Sequence, residues 1–140
     1  MSQALLAGLS RTTEPHRALR RFLTLDAVTT GTNGLVYVVA PGPVGRLLGV
    51  DAPLLFAVGV FLVAYGAAVG AVASRRRPPA AAVTAVVDAN VLWVVSSFAA
   101  LALWLEPSAA GAVWIPAQAL TVAGFAALQW TSLRARDAGR

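Results

Sequence analysis

Four long apolar stretches constrain this chain more than any other feature of its sequence. They cover residues 22–40, 54–73, 80–105 and 110–133. A helix needs about 20 residues to cross a hydrocarbon core of about 30 Å. Each stretch is therefore long enough to form one transmembrane helix, and the sequence predicts four such helices.

The overall composition supports this prediction. Apolar residues make up 58% of the 140-residue chain and charged residues only 12%, against about 45–50% and about 25% in soluble domains. A soluble domain of this size leaves much of its surface in contact with water and could not hide so much apolar surface. The composition therefore favours an integral membrane protein.

The arginines lie at alternate ends of the apolar stretches. Ten of them precede the first stretch, follow the second or follow the fourth: Arg11, Arg17, Arg20, Arg21, Arg75, Arg76, Arg77, Arg134, Arg136 and Arg140. Only Arg46 lies at the opposite ends. Because arginine is enriched on the cytoplasmic side of membrane proteins, this distribution predicts that both termini are cytoplasmic. The expected location is the cytoplasmic (inner) membrane, crossed several times.

Short segments that contain proline separate the stretches, and short connections make consecutive helices antiparallel neighbours. We therefore expect an all-α fold: an antiparallel bundle of four transmembrane helices with both termini inside. Residues 1–21 form a cytoplasmic segment, residues 22–133 the membrane domain and residues 134–140 a cytoplasmic tail. The outer loop, residues 41–53, is either a short interfacial helix or an irregular loop that folds over the bundle.

Polar side chains recur within the stretches, where they are costly unless they face the bundle interior. They form a candidate intramembrane cluster: Asp26, Thr30, Asn33, Tyr65, Thr84, Asp88, Asn90, Gln118 and Gln129. Asp26, Thr30, Asn33 and Tyr37 share one face of the first helix, because they follow helical spacing. Asp88 and Asn90 lie on different faces of the third helix, so one of these faces could meet a partner chain.

Two interpretations of these polar residues remain open. They can serve as interhelical hydrogen bonds that hold the bundle together. Alternatively, Asp26 and Asp88 line a cavity open to the cytoplasm, where a carboxylate could carry a proton. In a further alternative, Arg20 or Arg21 holds Asp26 ionised. Gly66 and Gly70 form a separate small-residue surface that predicts close helix packing.

Several kinds of site are excluded or unsupported. The chain has no cysteine and a single histidine, His16, which removes thiolate chemistry and thiol-ligated metals. We expect no catalytic residue, no metal site and no cofactor. The net charge of +5 does not predict a nucleic-acid partner, because the arginines flank apolar stretches and do not line a soluble face.

A pattern of short segments resembles a known group of proteins. The segments are Leu25-Asp26-Ala27, Asn33-Gly34-Leu35, Asn90-Val91-Leu92-Trp93, Gln118-Ala119 and Phe125-Ala126-Ala127-Leu128-Gln129. Over about residues 20 to 134 the chain resembles a family of small bacterial four-helix membrane proteins that carries no established activity. The resemblance implies the four-helix fold and the importance of the polar positions. The likeness to DoxX-type proteins is one of hydropathy only.

Three functional hypotheses follow. The first is a non-enzymatic accessory or scaffold subunit in the lipid bilayer, bound to a membrane-protein client or to further copies of itself through the Gly66 and Gly70 surface. The second is a subunit of a proton-coupled small-molecule transporter, since small multidrug transporters also carry an acidic residue in their first helix. The third is a lipophile-binding protein or a membrane enzyme.

The arginine distribution makes a prediction about topology. A reporter fused after Arg140 should report the cytoplasm, and a reporter inserted at Asp51 should report the outer side, because ten arginines resist translocation. Alkaline phosphatase and green fluorescent protein fusions at both positions measure this. The same side reported by both positions would contradict the predicted orientation.

Overall fold

The computed structural model describes the backbone of residues 2–138 and the side chains of residues 15–138. All regular secondary structure in this part of the chain is α-helix, with no β-strand. Its helices are α1 (Ser2–Val39), α2 (Pro41–Leu48), α3 (Ala52–Ala73), α4 (Ala80–Leu103) and α5 (Ala109–Ala138). The prediction of an all-α protein is confirmed.

Three of the described helices, α3, α4 and α5, are long and apolar enough to cross a membrane. They coincide with the predicted spans, although α5 continues at its C-terminal end to Ala138. The first predicted span lies within α1, a helix that begins at Ser2. Because α1 carries threonines, Asp26 and Asn33, it is the least apolar of the four long helices, and a span over residues 22–40 stays a prediction.

The long helices pack as two pairs. The most extensive contact is between α1 and α3, the next is between α4 and α5, and α1 also packs against α5. In contrast, α3 and α4 approach each other closely at very few positions, although they are consecutive in sequence. The bundle is therefore tight along the α1–α3 pair and loose along its α3–α4 side.

Glycines explain the tight α1–α3 pair. A Cβ atom added to Gly34 would lie 2.8 Å from Leu62 Cβ, and one added to Gly59 would lie 2.8 Å from Tyr37 Cβ. A Cβ atom on Gly66 would lie 3.0 Å from the backbone of Gly31. The predicted glycine surface of the second apolar helix therefore packs against α1 of the same chain, which covers Gly66.

Gly70 lies at the edge of this contact, where an added Cβ atom would meet Ala27 Cβ at an ordinary 3.7 Å. The more crowded positions are Gly34 and Gly59. Gly59, Leu62, Gly66 and Val69 are all buried and follow one another at helical spacing along α3. This spacing is the sequence signal that identifies the contact face of α3.

Two arginines satisfy backbone carbonyls at the arginine-rich end of the bundle. Arg20 Nε donates a hydrogen bond of 3.1 Å to the carbonyl of Ala73, the last residue of α3. The guanidinium of Arg136, which is buried, donates to the carbonyl of Pro78 just before α4. The last carbonyls of a helix lack hydrogen-bond donors within the helix. Arg20 therefore supplies a donor to one of these carbonyls at the end of α3. The other predicted topology determinants are exposed: Arg21, Arg75, Arg76, Arg77 and Arg134.

The opposite end of the bundle is closed by α2. Gly49 ends this helix in the left-handed conformation, with a φ of 72°, where glycine is favoured because it has no Cβ atom. The backbone N–H of Ser108 donates to the Leu48 carbonyl over 3.1 Å, which ties α2 to the start of α5. Of the two possibilities for the outer loop, the short helix is the one that forms.

The α1–α3 contact generates a prediction. Gly34→Ala should destabilise the protein by about 1–3 kcal/mol, because a methyl group must enter a contact that is already closed. Thermal unfolding in detergent measures this. The matched control is Gly124→Ala, since nothing lies within 4 Å of a Cβ atom there. Equal melting temperatures for the two variants would contradict the role of Gly34.

Candidate functional site

A buried carboxylate, that of Asp26, lies between the helices. Its Oδ1 accepts a hydrogen bond of 2.9 Å from the Thr30 hydroxyl. Its Oδ2 accepts one of 2.8 Å from Asn90 Nδ2 and one of 2.8 Å from Gln129 Nε2. The donors come from α1, α4 and α5, so a single side chain on α1 holds three helices together.

The hydrogen bonds continue beyond Asp26. Asn90 Nδ2 also donates to Gln129 Oε1 over 3.1 Å, and the Tyr65 hydroxyl on α3 lies 2.9 Å from Asn90 Oδ1. We call these five residues, Asp26, Thr30, Tyr65, Asn90 and Gln129, the Asp26 cluster. It draws on all four long helices.

The centre of the Asp26 cluster is closed to solvent, and its polar groups are hydrogen-bonded. Asp26, Asn90 and Gln129 are 0%, 2% and 0% exposed. Asn90 donates to Asp26 and Gln129 and accepts from Tyr65, whereas Gln129 donates to Asp26 and accepts from Asn90, and the carboxylate oxygens only accept. Buried polar groups are tolerated when they are hydrogen-bonded in this way. Every member therefore has a structural reason to be polar.

Arginine takes no part in the cluster. Arg20 donates to the Ala73 carbonyl, and Arg21 is exposed. The one ion pair among the described residues joins Arg136 to Asp137. The alternative in which Arg20 or Arg21 holds Asp26 ionised is therefore wrong, because amide and hydroxyl donors occupy both carboxylate oxygens.

A large cavity begins at the Asp26 cluster and extends toward α2. Its volume is about 1250 Å³, and all five helices contribute to its wall. The wall is mainly apolar, with Phe61, Leu62, Trp93, Val113 and Phe125 among its residues. Asn90 and Tyr65 place polar atoms of the cluster at one end, whereas Leu47 and Leu48 of α2 form the other.

Two hydrogen-bonded pairs lie along the cavity wall. Trp93 Nε1 donates to Gln118 Oε1 over 3.0 Å, and Trp114 Nε1 donates to the Tyr37 hydroxyl over 2.7 Å. The Asn33 side chain also lines the cavity, and it forms no hydrogen bond with another described residue. Asn33 is therefore a polar group inside the cavity that is available to a bound molecule.

Aromatic side chains cross the loose side of the bundle. Phe61 of α3 stacks on Tyr65 of the same helix, with ring centroids 5.9 Å apart. It also stacks on Trp93 of α4, with centroids 6.1 Å apart. Because the α3 and α4 backbones approach each other at very few positions, these rings span part of the gap between the helices and form part of the cavity wall.

The structure separates the predicted polar cluster into three groups. Asp26, Thr30, Tyr65, Asn90 and Gln129 lie together, while Asn33 and Gln118 lie along the cavity wall. Thr84 is half-buried outside the cavity, and Asp88 is exposed on the outer surface of α4. The hypothesis of one cavity that contains both Asp26 and Asp88 is therefore wrong, because the two carboxylates lie on opposite sides of the α4 backbone.

Helical spacing places Tyr37 on the same face of α1 as Asp26, Thr30 and Asn33, and Tyr37 lines the cavity. Trp93 shares a face of α4 with Asn90 and also lines the cavity. The sequence analysis did not assign Phe61 and Trp114 to a site, although they precede Tyr65 and Gln118 at the same helical spacing. The described residues hold no group of His, Asp and Glu side chains that could bind a metal ion.

Comparisons with protein-family profiles, curated proteins and solved structures find no match for this chain. The resemblance to a family of small bacterial four-helix proteins therefore stays a prediction. Functional conclusions must rest on the geometry of the cavity and of the Asp26 cluster.

The Asp26 cluster predicts a large effect of Asn90→Leu. This change removes one of the two amide donors to Asp26 Oδ2 and the donor to Gln129 Oε1, whereas the Tyr65 hydroxyl keeps the Val86 carbonyl as its acceptor. Each polar group left buried without a partner costs about 1–3 kcal/mol. We expect a markedly lower melting temperature in detergent.

Thr84→Val is the matched control on the same helix, because the Thr84 hydroxyl forms no hydrogen bond with another described residue. Its melting temperature should stay close to that of the unchanged protein. A similar effect of both substitutions would show that the cluster does not stabilise the bundle.

Proposed function

We propose that this protein binds an amphipathic lipophile in the cavity between its helices. The observation that carries the proposal is the combination of a wide apolar wall with a few polar groups at fixed positions. Ligand sites are typically concave, mostly apolar and about 300–1,000 Å³ in volume, with a small number of polar groups that orient the ligand. The open cavity of about 1250 Å³ is large enough for a lipid-sized molecule.

The arrangement of polar groups indicates how such a molecule would lie. Asn33 offers an amide that forms no hydrogen bond with another described residue, and Leu47 and Leu48 surround the far end of the cavity. A ligand with one polar group and a long apolar part would place the polar group near Asn33. Its apolar part would extend along Val113 and Phe125.

The loose α3–α4 side offers a route of entry from the lipid. Phe61 on α3 and Leu92 on α4 line the cavity and are also exposed on the outer surface. A molecule dissolved in the bilayer could pass between these side chains without crossing water. This route suits a ligand that partitions into membranes.

A four-span topology with both termini in the cytoplasm belongs to the same proposal. Arg20 of α1 lies beside Ala73 at one end of α3, and Gly34 lies beside Gly59 toward the other. Residues 22–39 of α1 therefore run alongside α3, a helix long and apolar enough to cross a membrane. If α3 crosses the bilayer, this part of α1 lies at the same depth, and the arginines favour a cytoplasmic membrane orientation.

The other hypotheses receive less support from the geometry. A proton-coupled transporter would need carboxylates that exchange protons with the cavity, but Asp26 is enclosed by its donors and Asp88 lies outside. An accessory or scaffold subunit does not need an internal cavity of this size. Both roles remain predictions, as does a role as a membrane enzyme.

Photolabelling tests the proposal directly. A fatty acid that carries a diazirine in its chain would be added to vesicles containing the protein, and the labelled residues would be mapped by mass spectrometry. We expect adducts concentrated on the less exposed cavity residues, such as Leu62, Trp93 and Phe125. Adducts spread evenly over the outer surface would contradict a ligand site.

A substitution that fills the cavity, paired with the same substitution outside it, provides a second test of the ligand site. Ala89 lines the cavity, whereas Ala85, one turn earlier on α4, is exposed outside it. Ala89→Phe should reduce cavity adducts severalfold, because the new ring occupies the ligand's volume, and Ala85→Phe should leave them unchanged. Melting temperatures of both variants check that the bundle remains folded.

A further inference from the structure

A second carboxylate, that of Asp88, lies on the outer surface of α4. It is exposed and forms no hydrogen bond or ion pair with another described residue. It follows the start of α4 at Ala80 by eight residues, or about 12 Å along the helix axis. A carboxylate at such a depth that faces only lipid is costly and normally pairs with another group.

The surface around Asp88 is a shallow apolar groove between α4 and α5. We call it the Asp88 groove, and its residues are Val87, Asp88, Val91, Val94, Val95, Ala123, Ala126, Ala127 and Trp130. Apart from Asp88 and Trp130, its side chains are those of alanine and valine. Small side chains allow a second helix to approach closely, so the groove can accept a helix from another chain.

A cation lies at the edge of this groove. The guanidinium of Arg134 sits over the Trp130 ring, 5.6 Å from its centroid, and forms no ion pair with a described carboxylate. The Trp130 indole N–H donates no hydrogen bond to a described residue either. The groove therefore combines an unpaired acid with an unpaired base and an unpaired donor, although the two charges do not meet within one chain.

These features fit a second copy of the same chain. In a two-fold symmetric interface, each contact between one residue and another occurs twice, with the chains exchanged. The cytoplasmic arginines give both copies the same orientation in the membrane, so the symmetry axis runs along the membrane normal. Arg134 leans over Trp130, toward the groove, and can therefore approach the Asp88 carboxylate of a neighbouring copy.

We propose that the Asp88 groove is the interface of a homodimer, in which Asp88 of each copy pairs with Arg134 of the other. This surface replaces the Gly66 surface that the sequence suggested, because α1 of the same chain covers Gly66. The proposal is independent of the lipophile site, since the cavity lies on the other side of α4.

Charge reversal tests the proposal in detergent-purified full-length protein. The unchanged protein should sediment as a dimer. Asp88→Arg should be monomeric because the introduced guanidinium would oppose Arg134 of the other copy, and Arg134→Asp should be monomeric because two acids would oppose each other. Arg76→Asp, a charge reversal at an exposed site in the connection between α3 and α4, should leave the dimer intact.

The decisive result comes from mixing the two monomeric variants. Asp88→Arg and Arg134→Asp chains that carry different affinity tags should co-purify as a heterodimer, since one contact then joins the introduced acid to the introduced base. The doubly changed chain, Asp88→Arg with Arg134→Asp, should form a homodimer, because both pairs are restored with reversed charges. Neither rescue is expected if the groove binds a different protein.

Three outcomes would overturn the proposal: an unchanged protein that sediments as a monomer, single variants that stay dimeric, or a doubly changed chain that remains monomeric. Melting temperatures identify any variant that has not folded. The milder substitution Asp88→Asn then takes its place, and it should also shift the protein from dimer to monomer. Failure of this shift counts against the interface.

Discussion

The structure depends on the burial of one carboxylate. Asp26 has no basic partner, so its burial among helices requires hydrogen-bond donors from the surrounding chain. Asn90 and Gln129 supply them across distances of 2.8 Å. In the described part of the chain, α1 and α4 have no close backbone contact. Among the described residues, the Asp26–Asn90 hydrogen bond is the one hydrogen bond that joins these two helices directly.

This way of joining the helices explains the cavity. Where glycines face each other, as at Gly34 and Gly59, α1 and α3 approach until their backbones almost touch. Where long side chains such as Asn90, Tyr65 and Trp93 bridge the gap, the helices stay apart. The α1–α3 and α4–α5 pairs are thereby held at a fixed separation, and the space between them is walled by apolar side chains.

The two proposed binding surfaces use different faces of the same helices. On α4, the Asn90 and Trp93 side chains line the cavity, whereas Asp88 and Val91 lie in the outer groove. A dimer formed through the groove would leave the Phe61 and Leu92 side of the cavity open to lipid. Because the cluster fixes the rotation of α4, it also fixes which residues the groove presents to a second copy.

The sequence by itself determined the helical class, the position of the apolar helices to within a few residues and the set of polar side chains among which the cluster is found. These follow from local properties: the length of apolar runs, the prolines between them and the placement of arginine.

Only the tertiary structure decided which polar residues meet. Asp88 and Asn90 are two residues apart and point about 200° from each other around the α4 axis, so they cannot both face inward. Helical periodicity fixes that angle but leaves the rotation of the helix free. Packing against α5, together with the hydrogen bonds of Asn90 to Asp26 and Tyr65, turned Asn90 inward and left Asp88 outside.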